Sequence, residues 1–185
     1  MKRASFSLFA TLYAGIALSF PAQGAARFDG HWWQQADESE RSGFLYGLED
    51  CYAIDATPKM IFDDTWANYR KSISAFYDLP AKRAEPVAQV FRQLGRKQSI
   101  EEHAGMSQEQ RYGSEFWRGS SDAARRGFLE AYITCPPHPK HKLSLSKLAL
   151  YVQRLNEMYN ADDKRGEDAP AFAGPVADAL ELAGK

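Results

Sequence analysis

Two histidines stand three residues apart in the segment HPKH at 138–141, a spacing at which side chains can hold a metal ion. A zinc site needs a third and usually a fourth ligand close by. Prolines at 136, 137 and 139 predict an extended loop here, and no nearby carboxylate is evident as a further ligand. The pattern therefore favours a solvated turn, and we predict neither a metal site nor a cofactor.

Catalysis by a nucleophile requires a base and an orienting group beside it. The sequence contains no G-x-S-x-G, no H-E-x-x-H and no phosphate-binding glycine loop. The carboxylate pair at 63–64 is typical of a helix cap, the pair at 162–163 of a solvated loop, and the segment EEH at 101–103 of a surface charge cluster. We predict no catalytic residues. A small hydrolase whose groups converge only in space is the main alternative.

The N-terminus predicts export. Lys2 and Arg3 precede an uncharged apolar run at 6–20, Pro21 ends the run, and small residues follow. This is the pattern of a signal peptide, and the run is shorter than the roughly 20 residues that span a bilayer. We assign residues 1–26 to a signal peptide. The mature chain is then periplasmic or secreted, with no integral membrane span.

The two cysteines, Cys51 and Cys135, are the only ones in the chain. In an oxidising compartment such a pair usually forms a disulfide, and two separate buried thiols are the alternative. Their wide separation rules out a C-x-x-C redox motif. We predict one disulfide.

The stretches that end at the two cysteines resemble each other. Residues 33–51, WQQADESERSGFLYGLEDC, align without a gap with residues 117–135, WRGSSDAARRGFLEAYITC. Six of 19 positions are identical, where average composition gives about one. The identical pairs are Trp33 and Trp117, Arg41 and Arg125, Gly43 and Gly127, Phe44 and Phe128, Leu45 and Leu129, and Cys51 and Cys135.

The likeness continues downstream in the same order. YDLPAKR at 77–83 matches YNADDKR at 159–165, and PVAQVF at 86–91 matches PVADAL at 175–180. The offset changes from 84 to 82 to 89, and such gaps belong in loops.

The sequence thus predicts a tandem duplication, with chance similarity as the alternative. The copies span 28–95 and 112–184, and a polar linker at 96–111 joins them.

Each copy is predicted to form three helices. The first helix of copy one begins near Asp37, with Glu40 at the spacing of a capping box. Apolar residues at helical spacing predict the remaining helices at 64–78, 86–94, 146–160 and 175–183, besides the first helix of copy two. No pattern of alternating strands around a tight turn is present.

We therefore predict an all-α fold, in which two diverged three-helix repeats pack as one domain about a pseudo-twofold axis near the disulfide. Small residues four apart on a helix allow close approach, so Gly43 and Gly127 are predicted at a tight helix crossing. The predicted anchors of the two repeats are Trp33, Trp117, Gly43, Gly127, Phe44, Phe128, Tyr77 and Tyr159.

A candidate interaction surface is suggested by Trp32, which adjoins Trp33, and by Phe116, which aligns with Trp32. Adjacent aromatic residues do not easily both point inward, so we expect one of each pair to be exposed. Together with Arg41 and Arg125, the exposed aromatic residues would form a surface rich in residue types that are common in protein interfaces. The alternative is that the two arginines form structural salt bridges inside the repeats.

The ordered pattern of Trp33, Arg41, Phe44, Gly47, FYD at 76–78 and PV at 86–87 resembles a group of small secreted bacterial all-helical proteins with no assigned activity. It returns more weakly in the second copy. The resemblance implies a fold and a compartment. The chain is also faintly similar to periplasmic immunity proteins of the Rap1a/Tai type, which are single units.

The net charge of the chain disfavours one class of partner. The chain carries a formal net charge of -1, and loss of Lys2 and Arg3 makes it -3, which disfavours a nucleic-acid partner. We expect a non-enzymatic binding protein of the cell envelope with a protein partner. The alternatives are the hydrolase, an immunity or inhibitor protein that binds a toxin or an enzyme, and a glycan or small-molecule binder that uses Trp32, Trp33 and Tyr46.

Overall fold

The computed structural model describes residues 27–54, 58–97, 99, 112–135, 143–160 and 174–184. Over these ranges the chain is mostly helical, as predicted. The predicted signal peptide, nearly all of the linker and the HPKH segment lie outside the described residues.

The described part of the first half contains four α-helices, α1 (Gly30–Gln35), α2 (Glu38–Ile54), α3 (Trp66–Tyr77) and α4 (Val87–Leu94), and a short 3-10 helix at Pro80–Lys82. Asp37 caps α2 as expected, because its carboxylate accepts a hydrogen bond of 2.8 Å from the Glu40 backbone N–H. Glu40 does not complete a capping box. Its carboxylate instead lies 3.4 Å from the guanidinium of Arg126.

The second half contains α5 (Ser114–Gly119), α6 (Asp122–Thr134), α7 (Leu148–Tyr159) and α8 (Val176–Ala183). Helices α3, α4, α7 and α8 match the predicted positions to within about two residues, the usual uncertainty of a helix end. The short helices α1 and α5 were not predicted as separate elements, because six residues are too few to display a helical period.

A two-residue antiparallel pair joins β1 (Met60–Ile61) to β2 (Arg96–Lys97). The guanidinium of Arg96 also lies 2.7 Å from the carboxylate of Asp63. The first two residues of the predicted linker therefore pack against the first half of the molecule.

Helices α2 and α6 form the centre of the fold and run parallel to each other. Gly43 lies against the backbone of Ala124, and Gly47 lies against Phe128 further along both helices. At the same end of the two helices, Cys51 and Cys135 form the predicted disulfide, with 6.5 Å between their Cα atoms. Glycine allows this approach because a Cβ would occupy the space that the facing backbone fills.

Gly127 lies at the same crossing. A Cβ there would stand 3.0 Å from the backbone nitrogen of Phe44 and 3.2 Å from the carbonyl carbon of Glu40. Phe44 and Phe128 are both fully buried beside this contact. The glycines thus permit the two central helices to pack backbone against backbone.

The buried aromatic residues of the two halves satisfy their polar atoms in corresponding ways. The Trp33 indole nitrogen donates to the Ser74 hydroxyl at 3.0 Å, and the Trp117 indole nitrogen donates to the Asn156 side-chain oxygen at 2.9 Å. A buried indole N–H without a partner would be costly, so these bonds define the position of α3 beside α1 and of α7 beside α5.

Two buried tyrosines anchor the loops before α4 and α8. The Tyr77 hydroxyl donates to the Glu85 carbonyl oxygen at 2.8 Å, and the Tyr159 hydroxyl donates to the Gly174 carbonyl oxygen at 2.9 Å. Each bond holds the last turn of one helix near the start of the next.

Candidate functional site

Trp32 and Phe116, which the sequence suggested as surface aromatics, are both partly buried. The Trp32 ring lies 5.1 Å from the ring of Phe28 and 4.6 Å from that of Phe44. The Phe116 ring lies 5.2 Å from the ring of Phe128. Both rings pack toward the central helices because α1 and α5 turn this side inward, so each ring is only partly accessible.

Arg41 and Arg125 use their guanidinium groups inside the molecule. The Arg41 guanidinium lies over the Trp33 ring at 5.5 Å, and the Arg125 guanidinium lies over the Trp117 ring at 5.6 Å. Arg41 also donates to the Gln34 carbonyl oxygen at 3.3 Å. Each arginine therefore ties a short helix to a central one.

The ion pairs of these arginines differ between the two halves. Arg125 lies 3.0 Å from the Asp122 carboxylate. The Asp37 carboxylate caps α2, and the contacts of Arg41 are with the tryptophan ring and the backbone. The salt bridge expected inside a repeat is thus present for Arg125, whereas the described contacts of Arg41 are with a ring and the backbone.

Another set of aromatic side chains lies between the two halves, and all of its members are partly exposed. The Tyr46 ring in α2 lies 4.7 Å from the Trp66 ring in α3, 5.1 Å from the Tyr112 ring and 5.6 Å from the Phe116 ring in α5. We call Tyr46, Trp66, Tyr112 and Phe116 the aromatic cluster. It combines α2 and α3 of the first half with α5 and the preceding Tyr112 of the second half.

A carboxyl group adjoins the aromatic cluster. Glu49 follows Tyr46 by three residues on α2, and the Tyr112 hydroxyl donates a hydrogen bond to a Glu49 carboxylate oxygen. Burial raises the pKa of Glu49, the bond from Tyr112 lowers it, and the charge of Asp50 raises it further. The net effect is a raised pKa, as expected for a desolvated carboxylate next to another acid.

Further carboxylates act on the tyrosines at this place. Burial raises the pKa of Tyr112, and the negative charge of Glu49 adds to the effect. Burial also raises the pKa of Tyr69. A hydrogen bond from the Asp64 backbone N–H lowers this pKa, and the charges of Asp63, Asp64 and Glu49 raise it. The charges that act on Glu49, Tyr112 and Tyr69 are therefore negative.

The sequence indicated only part of this site. It singled out Tyr46 as an alternative binding residue and Phe116 as a surface residue, but not Trp66, Tyr112 or Glu49. The spacing of Tyr46 and Glu49 places them on one side of α2, which was the only available signal. Trp33, proposed beside Tyr46 for glycan binding, is only 1% exposed and cannot offer a ring to a ligand.

A second buried carboxyl group lies in α6. Glu130 is 5% exposed, and one of its carboxylate oxygens is buried without a hydrogen-bond partner in the described structure. Burial raises the pKa of Glu130, and the charge of Glu40 raises it further, while Arg27 and Arg126 lower it. This group is enclosed by charges of both signs.

Across the described ranges, no three histidine, cysteine or acidic side chains are placed to hold a metal ion. His31 is exposed on α1, and the other three histidines lie outside the described residues. None of the helices within those ranges is long and apolar enough to cross a membrane. Comparison of the chain with protein-family models, curated proteins and solved structures finds no match.

Proposed function

We propose that the protein is an exported, non-enzymatic binding module that recognises a protein partner in the cell envelope through the aromatic cluster. The observation that supports this is the convergence of Tyr46, Trp66, Tyr112 and Phe116, all partly exposed, from both halves of the chain. Tyrosine and tryptophan dominate the energetically important centres of protein interfaces.

A rigid support favours this role. Tyr46 projects from α2, whose backbone is held against α6 by Gly43 and by the Cys51–Cys135 disulfide. Trp66 is the first residue of α3. Thr65 caps this helix, because its side-chain oxygen accepts a hydrogen bond from the Asn68 backbone N–H. Rings held in place before binding lose little conformational entropy when a partner arrives.

We further propose that the scaffold arose by tandem duplication and that its halves pack about a pseudo-twofold axis between α2 and α6. The corresponding indole bonds of Trp33 and Trp117 support this, as do the corresponding hydroxyl bonds of Tyr77 and Tyr159. Each pair of donors is aligned in the sequence, and so are their acceptors.

Under that alignment the aromatic cluster belongs to one side of the molecule only. The positions that correspond to Tyr46, Glu49 and Trp66 hold Glu130, Ile133 and Leu148. The second side therefore has a different residue type at each of these three positions. We infer that one surface binds the partner and that the related surface supports the fold.

Export is also part of the proposal. Its supports are the charged, apolar and small-residue segments at 1–26 and the disulfide, which persists in oxidising compartments.

The test is capture of the partner in the cell that makes the protein. The chain is tagged after Lys185, exported, crosslinked and purified, first as wild type and then with Trp66→Ala or Trp32→Ala. Trp32 is the matched control, because it is also a partly buried tryptophan but lies outside the aromatic cluster. Circular dichroism first establishes that both variants are folded.

We expect one stoichiometric partner that Trp66→Ala loses and Trp32→Ala keeps. A monomer without any partner would contradict the proposal. Equal loss of the partner in both variants would also contradict it, because the effect would then not depend on the aromatic cluster.

A further inference from the structure

We infer that the aromatic cluster binds a cationic side chain of the partner, an arginine or a lysine, with Glu49 as the opposing charge. This inference rests on the proposed function and specifies the chemistry of the group that enters the site.

The ring faces are suited to a cation. The Tyr46 ring contacts the rings of Trp66, Tyr112 and Phe116 at centroid distances of 4.7 to 5.6 Å, and all four rings keep part of their surface exposed. The negative face of an aromatic ring attracts guanidinium and ammonium groups, and tryptophan attracts them most strongly.

Within the described residues, no cation–π contact uses a ring of the aromatic cluster. Four cation–π contacts occur in the described part of the chain, and they use the rings of Phe28, Trp33, Phe76 and Trp117. None of those rings belongs to the aromatic cluster. Arginine on tryptophan is thus a contact that this protein forms twice internally, and the Trp66 ring has no such neighbour among the described residues.

The local charges favour the same occupant. Glu49 is partly buried beside Asp50. The charge effects on Glu49 and Tyr69 come from carboxylates, and those on Tyr112 come from Glu49, Tyr46 and Asp50. The Tyr112 hydroxyl, which donates to Glu49, holds the carboxylate at the edge of the ring set. An incoming cation would compensate a desolvated negative charge, whereas an anionic group would be repelled.

The direct test uses N-acetyl-arginine amide as the cationic probe and N-acetyl-citrulline amide as its uncharged counterpart. Both are titrated into the mature, disulfide-bonded chain while the indole N–H signal of Trp66 is followed by NMR. Trp66→Phe assigns that signal by its disappearance. The arginine probe should shift the signal in a saturable way, with a roughly millimolar dissociation constant, and the citrulline probe should not.

Two charge variants sharpen the test. Glu49→Gln should weaken binding of the arginine probe by about threefold to fivefold, the effect of one partly exposed ion pair. Glu157→Gln removes the same charge from an exposed position on α7, where Glu157 accepts a hydrogen bond from Gln153, and should leave binding unchanged. Equal shifts with both probes, or equal weakening by both variants, would overturn the inference.

The partner-capture experiment separates this inference from the function on which it rests. If Trp66→Ala loses the partner but Glu49→Gln keeps it fully, the binding module stands and the cationic occupant is wrong. If Trp66→Ala keeps the partner, the proposed function itself fails.

Discussion

Replacing Gly43 by alanine tests the close packing of α2 on α6. The added Cβ would lie 2.6 Å from the carbonyl carbon of Ala124 and 2.7 Å from its Cα. Ordinary contact begins at 3.4 Å, so the helices must separate by roughly 1 Å. The obstacle is backbone and not the flexible end of a side chain, so no rotamer change can relieve it.

The expected loss of stability follows from two opposing effects. Overpacking of a core costs about 1–3 kcal/mol, and a clash between two backbones belongs at or above the upper end of that range. Alanine is favoured over glycine inside a helix by about 1 kcal/mol, which offsets part of the cost. We therefore expect Gly43→Ala to reduce the free energy of unfolding by about 2 kcal/mol and Tm by about 4–8 °C.

Thermal and urea unfolding, followed by circular dichroism, measure this change. Gly119→Ala is the matched control, because no atom lies within 4 Å of a Cβ there, and it should raise stability slightly, by at most about 1 kcal/mol. Gly127→Ala meets the carbonyl oxygen of Glu40 first and the backbone nitrogen of Phe44 at 3.0 Å. This clash is smaller than the one at Gly43, so its effect should fall between those of the other two variants. A Tm for Gly43→Ala equal to or above that of the wild type would refute the backbone-to-backbone crossing.

Three further predictions concern the disulfide, a buried acid and a tryptophan. Reduction should add two daltons to the intact mass, and Cys51→Ala with Cys135→Ala should lower the free energy of unfolding by about 4 kcal/mol in the chain-entropy model. Glu130→Gln should stabilise the protein at pH values above the raised pKa of Glu130, because ionisation of that carboxyl opposes folding. The gain, measured by urea unfolding, should vanish below the unfolded-state pKa of glutamate. A difference that does not depend on pH would contradict this prediction. Trp32→Ala should lower the free energy of unfolding by about 2 kcal/mol, since its ring packs on Phe44 and is partly buried; an unchanged Tm would instead place Trp32 at the surface.

The helices and the disulfide could be predicted because their signals are local or have few solutions. Apolar spacing defines a helix within a dozen residues, and Asp37 marks a helix start by its own hydrogen bond. Two cysteines allow only one intramolecular bridge, which the structure contains. The short helices α1 and α5 provide no such signal, because they contain fewer than two turns.

The candidate site could be predicted only in part because it depends on contacts between distant segments. Tyr46 and Glu49 lie on one side of α2, but their neighbours Trp66 and Tyr112 come from other elements. Helical spacing shows which side of a helix is apolar or aromatic. It does not show which residues from elsewhere in the chain will meet that side.

The contacts of the side chains that the sequence singled out also depend on the tertiary structure. The sequence by itself determined a mostly helical chain with one disulfide, because these follow from local periodicity and from the number of cysteines. Only the tertiary structure decided that Arg41 lies over Trp33, that Trp32 packs on Phe44, and that the aromatic cluster forms beside Glu49. The physical reason is that burial and long-range hydrogen bonds, and not residue type, select the partner of each side chain.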